Sequence, residues 1–130
     1  MKQIERVLVI DDDETSIFLT KRLLHSVGVG SQIQTALNGL EGLNSIKKAV
    51  AEELLPQLIL LDIKMPVMDG FAFLEELERL PNMDFNDTKI ALLSSSHNPW
   101  EMEKAKKYPV SAFLHKPLTK EKLQRVLEHA

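Results

Sequence analysis

The chain has 130 residues, 44% of them hydrophobic and 27% charged, with a net charge of −3 and no cysteine. That length supports one domain with a core of its own, and the lack of cysteine excludes disulfides and thiolate metal sites. The weakly acidic balance argues against non-specific nucleic-acid binding, and no apolar stretch approaches the roughly 20 residues that span a bilayer. The opening Met1 to Arg6 is polar and unlike a secretory leader. The expectation is therefore a single domain over 1–130, located in the cytoplasm and engaging neither nucleic acid nor membrane.

The first aliphatic run, Val7 to Ile10, reads as a buried strand and ends in Asp11, Asp12 and Asp13. From Glu14 to Val27, the residues Ile17, Leu19, Leu23, Leu24 and Val27 recur at near-helical intervals until Gly28-Val29-Gly30 stops the helix. Ser31 to Ala36 is a weaker strand. Asn38 then offers an N-cap for a helix marked by Leu40, Leu43, Ile46, Lys47 and Val50, and Pro56 closes that region. Leu58 to Leu61 is a continuous aliphatic strand that delivers Asp62. Phe71, Leu74, Leu77 and Leu80 predict a helix from Gly70 to Leu80 that Pro81 terminates, followed by a polar turn from Asn82 to Thr88. The strand Ile90 to Leu93 ends in Ser94, Ser95 and Ser96. Asn98 to Tyr108 is a charged helix with a weak apolar stripe of Trp100, Met102 and Ala105. A last strand, Val110 to Leu114, leads into His115-Lys116-Pro117, and Thr119 caps a helix to Ala130 that turns Leu123, Val126 and Leu127 inward.

Strands that are aliphatic throughout are buried on both faces, which requires helices on both sides of a parallel sheet. Right-handed crossovers bring every strand's C-terminal end to one edge. Five β/α units in series predict an α/β fold with a five-stranded parallel sheet in the flavodoxin-like order 2-1-3-4-5, whose ligands sit at that edge. Asp11, Asp12 and Asp62 gathered there repel one another unless a cation joins them, and oxygen donors without His or Cys suit Mg2+. An aspartate carboxylate is a competent nucleophile that forms an acyl phosphate. Ser94 and Lys116 add a hydrogen bond and positive charge for the other phosphoryl oxygens, and phosphoryl transfer needs little beyond in-line positioning and charge neutralisation. Metal affinity is expected to fall with pH as clustered acids protonate.

The blocks Val9 to Asp13, Leu61 to Gly70 (with Met65-Pro66 and Asp69-Gly70), Leu93-Ser94 and Ala112 to Pro117 resemble, in order and over essentially the whole chain, the signature blocks of response-regulator receiver domains. The resemblance implies Asp62 as the phosphoacceptor, Asp11 and Asp12 as the metal-binding acidic pair, and the backbone carbonyl of Lys64 as the remaining protein ligand of Mg2+. It implies Ser94 as the hydroxyl that reorients toward the phosphoryl group, Lys116 as the lysine that meets it, and Phe113 as the aromatic switch. Lys64 and Ser96 fall where such domains tune phosphoryl lifetime, and Lys116-Pro117 where a cis peptide is common. Asp12 and Asp62 are further apart than usual, an excess assigned to Lys47 through Leu55. The implied partners are a histidine kinase or phosphotransfer protein and a separate effector, or else the next member of a phosphorelay in which this domain is a middle link, since the sequence holds no output domain. A monomer or weak dimer is implied, catalysing nothing beyond its own phosphorylation and dephosphorylation.

Two other functions compete. Asp11-Asp12-Asp13-Glu14-Thr15 superficially resembles the nucleophile block of haloacid-dehalogenase-type aspartyl-phosphate phosphatases, but that reading leaves the Asp62 and Lys116 blocks unexplained and finds no cap segment. A degenerate receiver, a phosphate-independent binding module, would be expected to lack a key group, and all are filled. A flavin-binding protein of the same architecture is excluded, because acids after the first strand would repel the flavin phosphate. Plainer roles fit other residues: Asp13 as an N-terminal helix acid, Trp100 and Met102 as helix packing, and Lys104, Lys106 and Lys107 as a solvated face. His25, His97, His115 and His129 read as surface side chains.

Overall fold

The structure is a computed structural model that describes residues 4–81, 84 and 86–128. Its elements alternate as β1 (Arg6–Ile10), α1 (Glu14–Ser26), β2 (Gln32–Ala36), α2 (Gly39–Glu52), β3 (Leu58–Asp62), α3 (Gly70–Glu78), β4 (Lys89–Ser94), α4 (Pro99–Ala105), β5 (Ala112–His115) and α5 (Lys120–Glu128). The strands are all parallel, in the order β2-β1-β3-β4-β5. This is the expected five-stranded α/β sheet, and every strand ends at the same edge.

The aliphatic runs divide their side chains between two cores. Val7, Val9, Leu58, Leu60, Ala91 and Leu93 pack with Ile17 and Leu24 of α1 and Leu123 and Val126 of α5. Leu8, Ile10, Ile59, Leu61, Ile90 and Leu92 face the other way, against Leu43 and Ile46 of α2, Phe73 and Leu77 of α3 and Ala105 of α4. Because alternate residues of a strand point to opposite faces, an unbroken aliphatic run is what a sheet with two covered faces needs.

Helix starts follow the sequence closely. Asp13 caps α1 by accepting from the Thr15 N–H, Asn38 caps α2, Asp69 caps α3 and Asn98 caps α4, each satisfying an amide that the first turn leaves unpaired. The Thr119 hydroxyl accepts the Lys122 N–H at 3.2 Å at the start of α5. Helix ends and faces depart more. Leu19 and Leu40 are 53% and 43% exposed, because the buried stripes run through Ile17, Thr20 and Leu24 in α1 and through Gly39, Gly42, Leu43, Ile46 and Ala49 in α2. The fourth helix stops at Ala105, well short of Tyr108, and its Met102 points to solvent. α2 runs to Glu52 and ends on Glu53 in the left-handed region, φ 57°, so the added length lies away from the sheet edge. Part of the turn at Asn82 to Thr88, and His129 and Ala130, lie outside the described residues.

Candidate functional site

β1 and β3 are neighbours, with Ile10 opposite Leu61. The next residues, Asp11 and Asp62, therefore emerge side by side at the sheet edge, 2% and 6% exposed, while Asp12 is exposed. One carboxylate oxygen from each of these three acids lies within 4.8 Å of the others. Lys116, just past β5, reaches across the edge: its Nζ donates to Asp11 Oδ2 at 3.0 Å and stands 3.5 Å from Asp62 Oδ1. Asp11 is further held by the Asp13 N–H on Oδ1, at 2.9 Å, and by the Ser16 hydroxyl on Oδ2, at 2.7 Å. Asp62 Oδ1 accepts the Ile63 N–H at 3.1 Å. Asp62 Oδ2 has no hydrogen bond among the described residues, and since no buried side-chain oxygen is left unpaired it must reach solvent.

The backbone behind Asp62 is closely packed. Gly70 opens α3 so near to it that a Cβ there would meet the Asp62 carbonyl oxygen at 2.5 Å, and the Gly70 N–H donates to the Ile63 carbonyl at 2.8 Å. Only a residue without a side chain lets helix and strand approach this far.

Burial is the main force raising the Asp62 pKa, the charges of Asp11 and Asp12 add to it, and Lys116 opposes it; the outcome is a carboxyl pushed from 3.8 up to about 6. Burial works to lower the Lys116 pKa, but the hydrogen bond to Asp11 and the charges of Asp62 and Asp11 outweigh it and hold the ammonium above its ordinary value. One ammonium faces three carboxylates, leaving a surplus of negative charge on hard oxygen donors at a solvent-accessible edge. That donor set fits a divalent cation such as Mg2+.

β4 and β5 supply the other side. Ser94, the last residue of β4, is 2% exposed and lies opposite His115 in the sheet. Its Oγ stands 2.5 Å from Glu101 Oε1 and 3.0 Å from the Ser96 carbonyl, and accepts the Ser96 N–H at 3.0 Å. Ser96 is half-buried and Lys64 exposed. Phe113 is half-buried on β5, in edge contact with His115 at 5.5 Å between ring centroids. His115 is thus not the free surface residue expected: it sits in a strand, and His97 stacks on it at 4.8 Å. The peptide between Lys116 and Pro117 is cis, and Lys122 of α5 braces that turn by donating to the His115 and Pro117 carbonyls at 2.6 and 3.1 Å.

Ser16, Glu101 and Lys122 are the participants that sequence reading passed over. Each is a polar residue near the start of a helix, a pattern that reads as capping or solvation. Their roles depend on partners brought in by the fold.

Residues 7–128 match the response regulator receiver domain family, and the chain belongs to it. It is similar to the two-component response regulator ORR41 of Oryza sativa subsp. japonica, 32% identical over 122 residues that cover 94% of this chain and 91% of that protein. Among solved structures it resembles a two component response regulator from Cytophaga hutchinsonii, with a TM-score of 0.89 at 29% identity, covering 98% of this chain and 96% of that one. Other relatives are far longer: the match to hybrid signal transduction histidine kinase G of Dictyostelium discoideum, 32% identical over 122 residues, spans 94% of this chain and 3% of that protein. No helix among the described residues is long and apolar enough to cross a membrane.

Proposed function

We propose that this receiver domain accepts a phosphoryl group on Asp62 in a Mg2+-dependent reaction and uses it to switch a protein-binding surface. The observation that carries the reading is the buried Asp62 carboxylate clustered with Asp11 and Asp12 and flanked by Lys116. Asp62 Oδ2 is the oxygen free to attack phosphorus in line. The new O–P bond makes an acyl phosphate as the P–N bond of a donor phosphohistidine breaks, its electron pair staying on the imidazole nitrogen. Asp11, Asp12, Asp62 and the Lys64 carbonyl would hold the metal; when bound, Mg2+ neutralises charge on the acids and on the incoming phosphoryl group. Lys116 adds positive charge beside the transferred group, and Ser94 turns its hydroxyl to a phosphoryl oxygen. Phe113 follows Ser94 and alters the face made by α4, β5 and α5, a shift that requires the phosphoryl group to favour the altered arrangement. Lys64 and Ser96 flank the group and influence its lifetime.

The donor in this reading is a histidine kinase or a phosphotransfer protein, the receiver of the surface change is a separate effector, and the setting is the cytoplasm. The domain catalyses only its own phosphorylation and dephosphorylation. A phosphatase with its nucleophile on the first strand would leave the buried Asp62 beside Lys116 without a role, which disfavours that alternative. Intact-protein mass after acetyl phosphate and Mg2+ tests the reading. One added phosphoryl group is expected in the parent, and none in Asp62→Asn or without Mg2+. An adduct that persists in Asp62→Asn would move the acceptor elsewhere.

A further inference from the structure

Glu101 has no place in the chemistry above, yet it is 5% exposed, in the first turn of α4. A carboxylate is taken out of water only where donors meet it. The donor here is the Ser94 hydroxyl, at 2.5 Å. A serine hydroxyl carries a single proton. In the resting arrangement that proton is directed to Glu101, with the Ser96 carbonyl at 3.0 Å as a secondary acceptor. The reading of Ser94 as the group that contacts a phosphorylated Asp62, on which this inference rests, needs the same proton for a phosphoryl oxygen. Two anionic acceptors on different elements thus compete for one donor.

We infer that Glu101 is a positioning residue that holds Ser94 in its resting orientation through the Ser94–Glu101 hydrogen bond, and couples release of that bond to the first turn of α4. A hydrogen bond to an ionised acceptor is roughly twice as strong as a neutral one, so the resting orientation is favoured over what serine and backbone alone would give. When Ser94 turns to Asp62, Glu101 Oε1 loses its donor in a largely buried position, and that cost favours movement of the side chain further toward water. Glu101 is followed along α4 by Lys104, whose ammonium lies over the rings of Phe71 and Trp100 at 4.7 and 4.9 Å, and Trp100 sits edge-on to Phe71 at 6.4 Å. A movement of Glu101 therefore changes the surroundings of Trp100, the residue beside it, and the indole reports on the turn.

The test is binding of beryllofluoride in the presence of Mg2+, followed by Trp100 fluorescence, in the parent, Glu101→Gln, Glu101→Ala, Ser94→Ala and the double variant Ser94→Ala/Glu101→Gln. Glu101→Gln keeps the shape and replaces an ionised acceptor by a neutral one; it is expected to tighten beryllofluoride binding about five- to tenfold. Glu101→Ala, which removes the acceptor, is expected to tighten it at least as much. In the Ser94→Ala background the Glu101→Gln change is expected to have less than about a twofold effect, since the shared proton is gone. Affinity for Mg2+ alone stays the same in Glu101→Gln. A residue that only stabilised α4 would change thermal stability but would not show this dependence on Ser94. Equal or weaker beryllofluoride binding in folded Glu101→Gln and Glu101→Ala would overturn the inference while leaving Asp62 as acceptor intact. A folded parent that takes up no beryllofluoride would overturn the acceptor reading and the inference together.

Discussion

Asp62 carries its charge at neutral pH against the pull of its surroundings, because burial and the neighbouring Asp11 and Asp12 raise its pKa from 3.8 to about 6 and Lys116 offsets only part of that. Without metal, the folded state takes up this proton more readily than the unfolded chain. The associated stability is fully present below pH 3.8 and is lost as pH rises through about 6. A shift of that size corresponds to a penalty on the order of 3 kcal/mol at neutral pH. Asp62→Asn, which cannot ionise, is therefore expected to be more stable than the parent by up to that amount at pH 7 in chelator, with the gap closing by pH 4. Urea unfolding of both proteins across that range measures it; a gap that stayed constant would mean that Asp62 is not the strained acid. The neighbouring contacts differ in how visible they are in sequence. Asp11 and Asp62 could be picked out because each follows an aliphatic strand, whereas Ser16 and Glu101 look like ordinary helix-start residues until Asp11 and Ser94 are placed beside them.

The segment joining β3 to α3 is where an element's geometry is at odds with its sequence. Val67 has φ 69°, and the Met68 N–H donates across it to the Pro66 carbonyl at 2.7 Å. That bond closes a γ-turn with Val67 at its centre, a strained conformation that costs a β-branched residue roughly 1–3 kcal/mol, and Val67 is 78% exposed, so packing returns little. Val67→Asn is expected to stabilise the domain by about 1 kcal/mol, and Val67→Gly by less, since glycine also widens the unfolded ensemble. Equilibrium unfolding decides it, and destabilisation by Asn would show that Val67 makes a contact worth more than the strain. The loop is held from the other side by Gly39, whose N–H donates to the Met68 carbonyl at 2.8 Å and whose Cβ, if present, would meet that oxygen at 2.6 Å. The spacing of apolar residues could not reveal this contact between α2 and the β3–α3 loop.

The two cores share one sheet, so strain at its edge is borne by the whole domain, and a ligand that binds only the folded edge stabilises all of it. At a Mg2+ concentration about a hundred times the dissociation constant the gain is about 2.7 kcal/mol, a rise of several degrees in Tm that excess chelator reverses. Below about pH 6 a proton competes with the metal for Asp62, so the Mg2+-induced rise is expected to shrink between pH 7.5 and pH 5. Calorimetric scans at both values, with and without Mg2+, check this. An equal rise at both would count against a site built from these acids.

Strands, helix starts and the direction in which each acid leaves the sheet were legible because they depend on local rules: runs of aliphatic residues, capping side chains, and glycine or proline breaks. The blocks around Asp11, Asp62, Ser94 and Lys116 were legible through family resemblance, since nothing in local spacing says that Lys116 reaches Asp11, 105 positions away. Helix faces were read less well, as Leu19 and Leu40 show, because the line of contact follows the angle at which a helix lies on the sheet. The pairing of Ser94 with Glu101, of Ser16 with Asp11 and of Lys122 with the turn after β5 depends on where packing sets one element against another. Hydrophobic patterning is a property of each segment alone, but a hydrogen bond between segments exists only after burial has brought donor and acceptor within about 3 Å and removed the water that would otherwise satisfy both.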